Sequence, residues 1–140
     1  MSDQALRLRR TTDDTVVCDR LVLGESFMQR FMGLMGRASM GKGDGLYLPS
    51  SSIHMMFMRF PIDALFVSRA DGAGRRTVVG VRPDLPPWRG LVMPVRGAEG
   101  VVELPAGTLA SLGVAVDDEV VFEPPKHDAE GADTPGVSAA

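Results

Sequence analysis

The part of this chain with the most side chains capable of chemistry runs from Ile53 to Phe60. Its sequence, Ile-His-Met-Met-Phe-Met-Arg-Phe, combines an imidazole, thioethers and a guanidinium. Alternate side chains of a strand share a face, so His54, Met56 and Met58 are expected to line up together. Thioether sulfurs with an imidazole suit Cu(I), so a Cu(I) site is one hypothesis for this strand. The competing interpretation is a buried strand whose flexible methionines fill gaps in the core.

Charged side chains follow directly. Arg59 and Asp63 flank Phe60-Pro61-Ile62. Because proline restrains the backbone, both side chains could project into one mouth of a barrel, where Arg37 could join them. Such a cluster would bind an anionic or carboxylate ligand through bidentate guanidinium contacts. The simpler interpretation is an Arg59–Asp63 ion pair that holds two strand ends together.

An acid–base set is a further hypothesis. His54 is one of two histidines in the chain, and a neutral imidazole can act as a general base. Glu103 interrupts the otherwise apolar run Val101–Leu104; alternation predicts that its carboxylate faces solvent, whereas burial would raise its pKa. His54 with Asp63 or Glu103 could serve a small hydrolase or isomerase, provided that the side chains converge.

Composition limits both the class of protein and its partners. The chain has 140 residues, 44% of them hydrophobic and 24% charged, which suits one globular domain. Its single cysteine excludes an intrachain disulfide and any multi-cysteine metal site. The N-terminal residues lack the apolar run of a signal peptide, so a soluble, cytoplasmic protein is expected. The net charge of −3 comes from the residues after Phe122, and a neutral body disfavours nucleic acid and membrane as partners.

The elements that must position these side chains are short. Polar or Pro/Gly-rich composition predicts disorder for residues 1–12 and 124–140, which leaves 13–123 as a single domain. Apolar runs bounded by turn residues predict strands, and two segments, 27–35 and 105–112, have helical patterns. The strands are predicted at 15–18, 20–23, 46–48, 52–60, 63–68, 76–81, 100–104 and 119–122. Many short strands with two short helices predict an α+β protein built on a compact, mostly antiparallel, β-barrel-like sheet.

An ordered series of motifs resembles a known family. Phe31-Met32-Gly33-Leu34-Met35-Gly36-Arg37, Ile53-His54, Met58–Asp63 and Val102–Gly107 occur in this order. Together they resemble the bacterial and archaeal family known as domain of unknown function 192, over about residues 15–122. The resemblance implies a compact, barrel-like α+β domain and implies no activity.

Two positions depart from the family pattern. Many relatives have a cysteine where this chain has Ser50, so a potential thiol ligand or nucleophile is missing. Relatives usually have Gly-Asp before the last strand, whereas this chain has Asp117-Asp118. A residue other than glycine must therefore make that turn.

The sequence favours a small non-enzymatic domain that binds a small molecule or a protein. Without a complete catalytic motif, the distinctive polar groups beside apolar ones point to a binding site at one barrel mouth. Its predicted residues are His54, Met58, Arg59, Asp63 and Arg37. No cofactor is expected, and the hydrolase or isomerase and Cu(I) hypotheses stay open as alternatives.

Overall fold

The computed structural model describes residues 6–23, 40–54 and 60–125, which form nine strands and one helix. The strands are β1 (Leu6–Arg10), β2 (Val16–Leu23), β3 (Asp44–Leu48), β4 (Ile53–His54), β5 (Ile62–Val67), β6 (Arg75–Leu85), β7 (Leu91–Val92), β8 (Gly100–Pro105) and β9 (Glu119–Glu123). The helix, α1 (Thr108–Leu112), lies between β8 and β9.

Seven strands close into a barrel in the order β1-β2-β3-β8-β5-β6-β9, and β9 pairs with β1 to complete the ring. The β2–β3 pair is parallel, and the other six pairs are antiparallel. The predicted barrel-like, mostly antiparallel sheet is therefore confirmed. The parallel pair requires a crossover connection, whose residues 24–39 lie outside the described part of the chain.

Two apolar layers hold the molecule together. Leu8, Leu21 and Val102 belong to a cluster that fills the barrel. A second cluster, which includes Phe66 and Val101, lies on the outer face of β3, β5 and β8. All six residues of β5 are buried because apolar side chains cover both of its faces. A strand buried on both faces shows no alternation of apolar and polar residues.

A small ribbon covers part of the outer layer. Strands β4 and β7 form a two-stranded antiparallel sheet, with Ile53 opposite Val92 and His54 opposite Leu91. Val92 is buried in the outer cluster. The amide of Val95 also donates to the carbonyl of Ser51 at 2.7 Å. The ribbon is therefore fixed to the barrel along one face.

The predicted disorder of residues 1–12 is wrong from Leu6 onward. Strand β1 pairs with β2 and β9, and Leu8 is fully buried inside the barrel. The composition of this segment is polar, but leucines at 6 and 8 alternate with arginines at 7 and 9. That alternation is the pattern of a half-buried strand. Residues 126–140, most of the predicted disordered tail, lie outside the described residues.

Only one of the two predicted helices is supported. The predicted segment 105–112 contains α1, which Gly107 precedes at φ 95° and Gly113 ends at φ 68°. Both glycines adopt a left-handed conformation that other residues rarely accept. The predicted helix at 27–35 lies outside the described residues, so the fold is better described as mostly β than as α+β. None of the helical residues described is part of a helix long and apolar enough to span a membrane.

Strand β6 is longer than the strand predicted at 76–81, because it continues through Pro83 to Leu85. Ala64 pairs with Arg82 and Ile62 with Leu85, so Pro83 and Asp84 together lie opposite one residue of β5. Such a bulge accepts a proline, which has no amide hydrogen to give to the sheet. Asp84 adopts a positive φ of 54° here.

Candidate functional site

Asp63 is bound entirely by backbone. Its side chain is fully buried, and its Oδ1 accepts from the amide of Asp84 at 2.8 Å. Its Oδ2 accepts from the amides of Gly107 at 3.1 Å and Leu109 at 2.9 Å. These bonds join β5 to the bulge of β6 and to the start of α1. These three bonds occupy most of the acceptor sites of the carboxylate, and its full burial keeps the predicted site residue Asp63 away from solvent.

Glu103 is the second buried carboxylate, and the predicted solvent exposure of this residue is wrong. It lies in β8 between Leu46 of β3 and Ala64 of β5. Only 4% of the residue is exposed. It has no hydrogen bond or ion pair with any residue in the described ranges. Burial raises its pKa from 4.5 to about 7, because the charged form loses its hydration.

Asp63 and Glu103 do not meet. Asp63 is opposite Leu104, which belongs to the barrel interior, whereas Glu103 is opposite Ala64 of the outer cluster. Neighbouring residues of a strand point to opposite faces. An acid–base set can therefore use Glu103 or Asp63 but not both on one face of the sheet.

Most of the other predicted site residues lie outside the described residues. These are Arg37, Met56, Met58 and Arg59. His54 is placed in β4, where its register partner is Leu91 of β7. The Cu(I) hypothesis and the Arg59–Asp63 pair thus stay predictions. Across residues 6–23, 40–54 and 60–125, no cluster of three or more His, Cys, Asp or Glu side chains could hold a metal ion.

The ribbon presents exposed apolar side chains, which sequence reasoning missed. Leu91 is 65% exposed and Met93 is 69% exposed, while Val92 between them is buried. Trp88, just before them, is 56% exposed and has a positive φ of 69°. Contiguous exposed apolar groups often mark interaction sites. The available sequence signal was Gly90-Leu91-Val92-Met93-Pro94, an apolar run too short for a long core strand.

The same segment carries arginines without acidic partners. Arg89 and Arg96 are exposed and form no ion pair with any residue of the described ranges. The sequence has no acidic residue between Asp84 and Glu99. We call Arg89, Leu91, Met93 and Arg96 the ribbon surface. It joins apolar area to uncompensated positive charge, next to the strand that contains His54.

Three further features have structural explanations. Cys18 is buried in the barrel, and burial raises the pKa of its thiol to about 12, so it stays protonated. An open groove of about 700 Å³ lies at the β1–β9 junction. Its arginines, Arg7 and Arg9, are both bound to Glu123. Ser50 donates its hydroxyl to the carbonyl of Ser52 at 2.9 Å.

Sequence comparisons place the chain among proteins without an assigned activity. The model of the DUF192 family, described as "Uncharacterized ACR", matches residues 9–122. A UPF0127 protein of Thermococcus sibiricus is 32% identical over 117 residues, which cover 80% of this chain and 71% of that protein. A UPF0127 protein of Pyrococcus furiosus is 35% identical over 101 residues, which cover 69% and 80%.

Solved structures share the fold. A protein of unknown function from Novosphingobium aromaticivorans superposes with a TM-score of 0.64 at 23% identity, covering 83% of this chain and 82% of its own. A protein from Sinorhizobium meliloti, described as a candidate transcription regulator, gives a TM-score of 0.62 at 26% identity, covering 85% and 92%. The barrel is therefore common to proteins from different bacteria.

Proposed function

Since the chain belongs to the DUF192 family, in which no activity is established, we propose that it is a non-enzymatic domain that binds a protein partner through the ribbon surface. The observation that carries this proposal is the exposure of Leu91 and Met93, at 65% and 69%. Side chains of this size normally gain ~1.5–3 kcal/mol from burial. Two such side chains, two positions apart and both exposed, form an apolar contact area for a partner.

The ribbon holds these side chains in a defined position. Val92 is buried beneath them, β7 pairs with β4, and Val95 is bonded to Ser51. A rigid surface loses little conformational entropy when a partner binds. This order distinguishes the ribbon surface from an apolar loop that is exposed only because nothing fixes it.

The sequence-derived site extends this surface. His54 is opposite Leu91 in the ribbon, and Met58 and Arg59 follow His54 closely along the chain. We include these three, with Arg37, as proposed contacts. Asp63 is not included because its carboxylate is bound by backbone amides.

A displayed library of random 16-residue peptides tests this function. We expect selection on the wild type to enrich peptides that bind the double variant Leu91→Ser/Met93→Ser at least ten-fold more weakly. The control is Val116→Ser, which removes another apolar side chain that is half exposed. Peptides should bind that variant as they bind the wild type. No enrichment, or equal binding to Leu91→Ser/Met93→Ser, would rule out the ribbon surface as the binding site.

Glu103 supports a second candidate function, acid–base catalysis with His54. Its pKa of about 7 suits proton transfer near neutral pH, and it is buried in the layer that the ribbon covers. The proposal requires the carboxylate to lie close to the imidazole. NMR titration of both histidines in wild type and Glu103→Gln tests this directly.

If the two groups are close, removing the carboxylate charge should lower the pKa of His54 by at least about 0.5. The imidazole of His127, the other histidine, provides the internal reference. A pKa of His54 that is the same in both proteins would exclude the pair.

A further inference from the structure

The arginines of the described residues divide into two groups. Every arginine of the barrel strands and hairpins outside residues 82–96 has a carboxylate oxygen within 4 Å. Arg82, Arg89 and Arg96 have none among the described residues. Every described arginine outside residues 82–96 is therefore compensated, whereas the segment that exposes apolar side chains carries arginines that are not. Lys42 is the other described cation without an ion pair, and it lies outside this segment.

The sequence immediately around Arg89 and Arg96 contains no acidic residue that could compensate them. From Leu85 to Ala98 the only charged residues are Arg89 and Arg96, although the whole chain has a net charge of −3. Arg89 precedes Leu91 by two residues and Arg96 follows Met93 by three. The two positive charges thus lie on either side of the apolar pair along the ribbon.

We propose that the partner of the ribbon surface is an acidic peptide segment, with Asp or Glu residues flanking at least one large apolar side chain. This inference rests on the proposed function and names its partner class. The apolar side chain packs against Leu91 and Met93 and supplies most of the affinity. The carboxylates pair with Arg89 and Arg96, which fixes the orientation of the segment and raises the association rate.

Other polyanions fit the surface less well. Nucleic-acid sites usually combine many phosphate contacts with a basic domain, and this chain is acidic overall. An anionic membrane attracts clusters of about four to eight basic residues. The ribbon surface has two arginines next to two apolar side chains, which matches the scale of a peptide contact.

The peptide selection on the wild type also tests this inference, now through the composition of the enriched sequences. We expect enriched peptides to carry a net negative charge with Leu, Ile, Phe or Trp beside the acids. The charge-reversal variant Arg89→Glu/Arg96→Glu should bind them at least ten-fold more weakly. Raising NaCl from 50 to 500 mM should weaken wild-type binding, because rim charges are screened by salt.

The matched control is Lys42→Glu/Arg69→Glu, which makes the same change in net charge at two exposed positions outside the ribbon surface. It should bind the peptides within about two-fold of the wild type. Vesicles containing phosphatidylserine and a 30-base-pair DNA duplex serve as the other polyanions. Neither should bind through Arg89 and Arg96.

The outcomes separate this inference from the function on which it rests. Enriched peptides that are neutral or basic, yet depend on Leu91 and Met93, would overturn the acidic partner and leave the binding function standing. Loss of any dependence on Leu91 and Met93 would overturn both. Vesicle or DNA binding that requires Arg89 and Arg96, without enrichment of acidic peptides, would also overturn the acidic peptide as partner.

Discussion

Glu103 is a single residue whose environment makes stability depend on pH. Its pKa is raised from 4.5 to about 7 by burial, so the folded state holds its proton more tightly than the unfolded state. The favourable contribution of the neutral form is complete below about pH 4.5. It is lost as pH rises towards 7, and above that the folded state carries a buried charge. At 1.36 kcal/mol for each pKa unit, the loss is about 3 kcal/mol.

We predict that Glu103→Gln abolishes this loss, because a neutral amide of nearly the same shape does not ionise. Urea unfolding at intervals from pH 5 to 8 should show that the free energy of unfolding of the wild type falls as pH rises. In the variant, the fall over the same range should be smaller by about 3 kcal/mol. Glu99→Gln, in which the replaced carboxylate is more exposed, is the control and should keep the wild-type slope. Equal slopes for wild type and Glu103→Gln would show that Glu103 does not titrate in this range.

Asp63 differs from Glu103 because its buried carboxylate accepts three backbone hydrogen bonds. We predict that Asp63→Asn lowers the free energy of unfolding by about 3 kcal/mol, because an amide nitrogen would face amide donors that now bond to Oδ1 or Oδ2. Thermal and urea unfolding measure the loss. The control is Asp84→Asn, where the backbone amide and not the side chain makes the bond. A loss in Asp84→Asn as large as in Asp63→Asn would contradict the role assigned to the Asp63 carboxylate.

These two carboxylates also show where prediction from sequence stops. The strands at 63–68 and 100–104 were recognisable from their apolar runs, and the structure has β5 and β8 there. Both strands are buried on two faces, so polar alternation gives no information on which face a carboxylate occupies. The burial of Glu103 and the backbone bonding of Asp63 depend on long-range contacts that a local pattern does not contain.

At the scale of elements, the turn before β9 contains a strained backbone conformation that lowers the free energy of unfolding. Asp117 has φ 81°, and its amide donates to the carbonyl of Val78 at 2.8 Å. A residue with a Cβ is strained in this conformation. We predict that Asp117→Gly raises the free energy of unfolding by about 0.5–1 kcal/mol, measured by urea unfolding.

The adjacent residue is the matched control. Asp118 accepts a hydrogen bond from the amide of Ala115 at 2.9 Å and pairs with Arg10. Asp118→Gly should therefore destabilise the protein. If both glycine variants changed stability in the same direction, backbone strain at Asp117 would not be the cause.

Elements with standard local signals were the easiest to predict. Asp71-Gly72-Ala73-Gly74 has the residues typical of a hairpin turn, and the structure has a turn there, in which the amide of Gly74 donates to the carbonyl of Asp71 at 2.9 Å. Strand β1 was missed because the argument from composition was applied to a segment of only a few residues. One of its partners, β2, follows it directly in the sequence, whereas the other, β9, is the last strand of the barrel. The pairing of β1 with β9 closes the sheet.

At the scale of the whole molecule, the closed ring places the first and last barrel strands side by side. Arg7 is opposite Glu123, and both Arg7 and Arg9 pair with its carboxylate. We predict that a circular permutant folds when residue 125 is joined to residue 6 by a short Gly/Ser linker and the chain is opened between Gly72 and Ala73. The new ends lie in an exposed turn, where breaks are tolerated.

Circular dichroism and thermal unfolding should show a cooperative transition for this permutant, within about 10 °C of the wild type. The control permutant is opened between Ala64 and Leu65, inside the fully buried β5, and should not fold. A cooperative transition in the control, or its absence in the first permutant, would contradict the closed-ring arrangement.

The pairing of β1 with β9 also has a consequence during synthesis. The nascent chain presents β1 long before β9 leaves the ribosome, so one edge of β1 stays without its partner while most of the protein is made. An open strand edge can pair with other chains and aggregate, and charged side chains on the edge oppose this. Arg7 and Arg9, which bind Glu123 in the finished barrel, would keep that edge charged and solvated until translation supplies the strand that closes the ring.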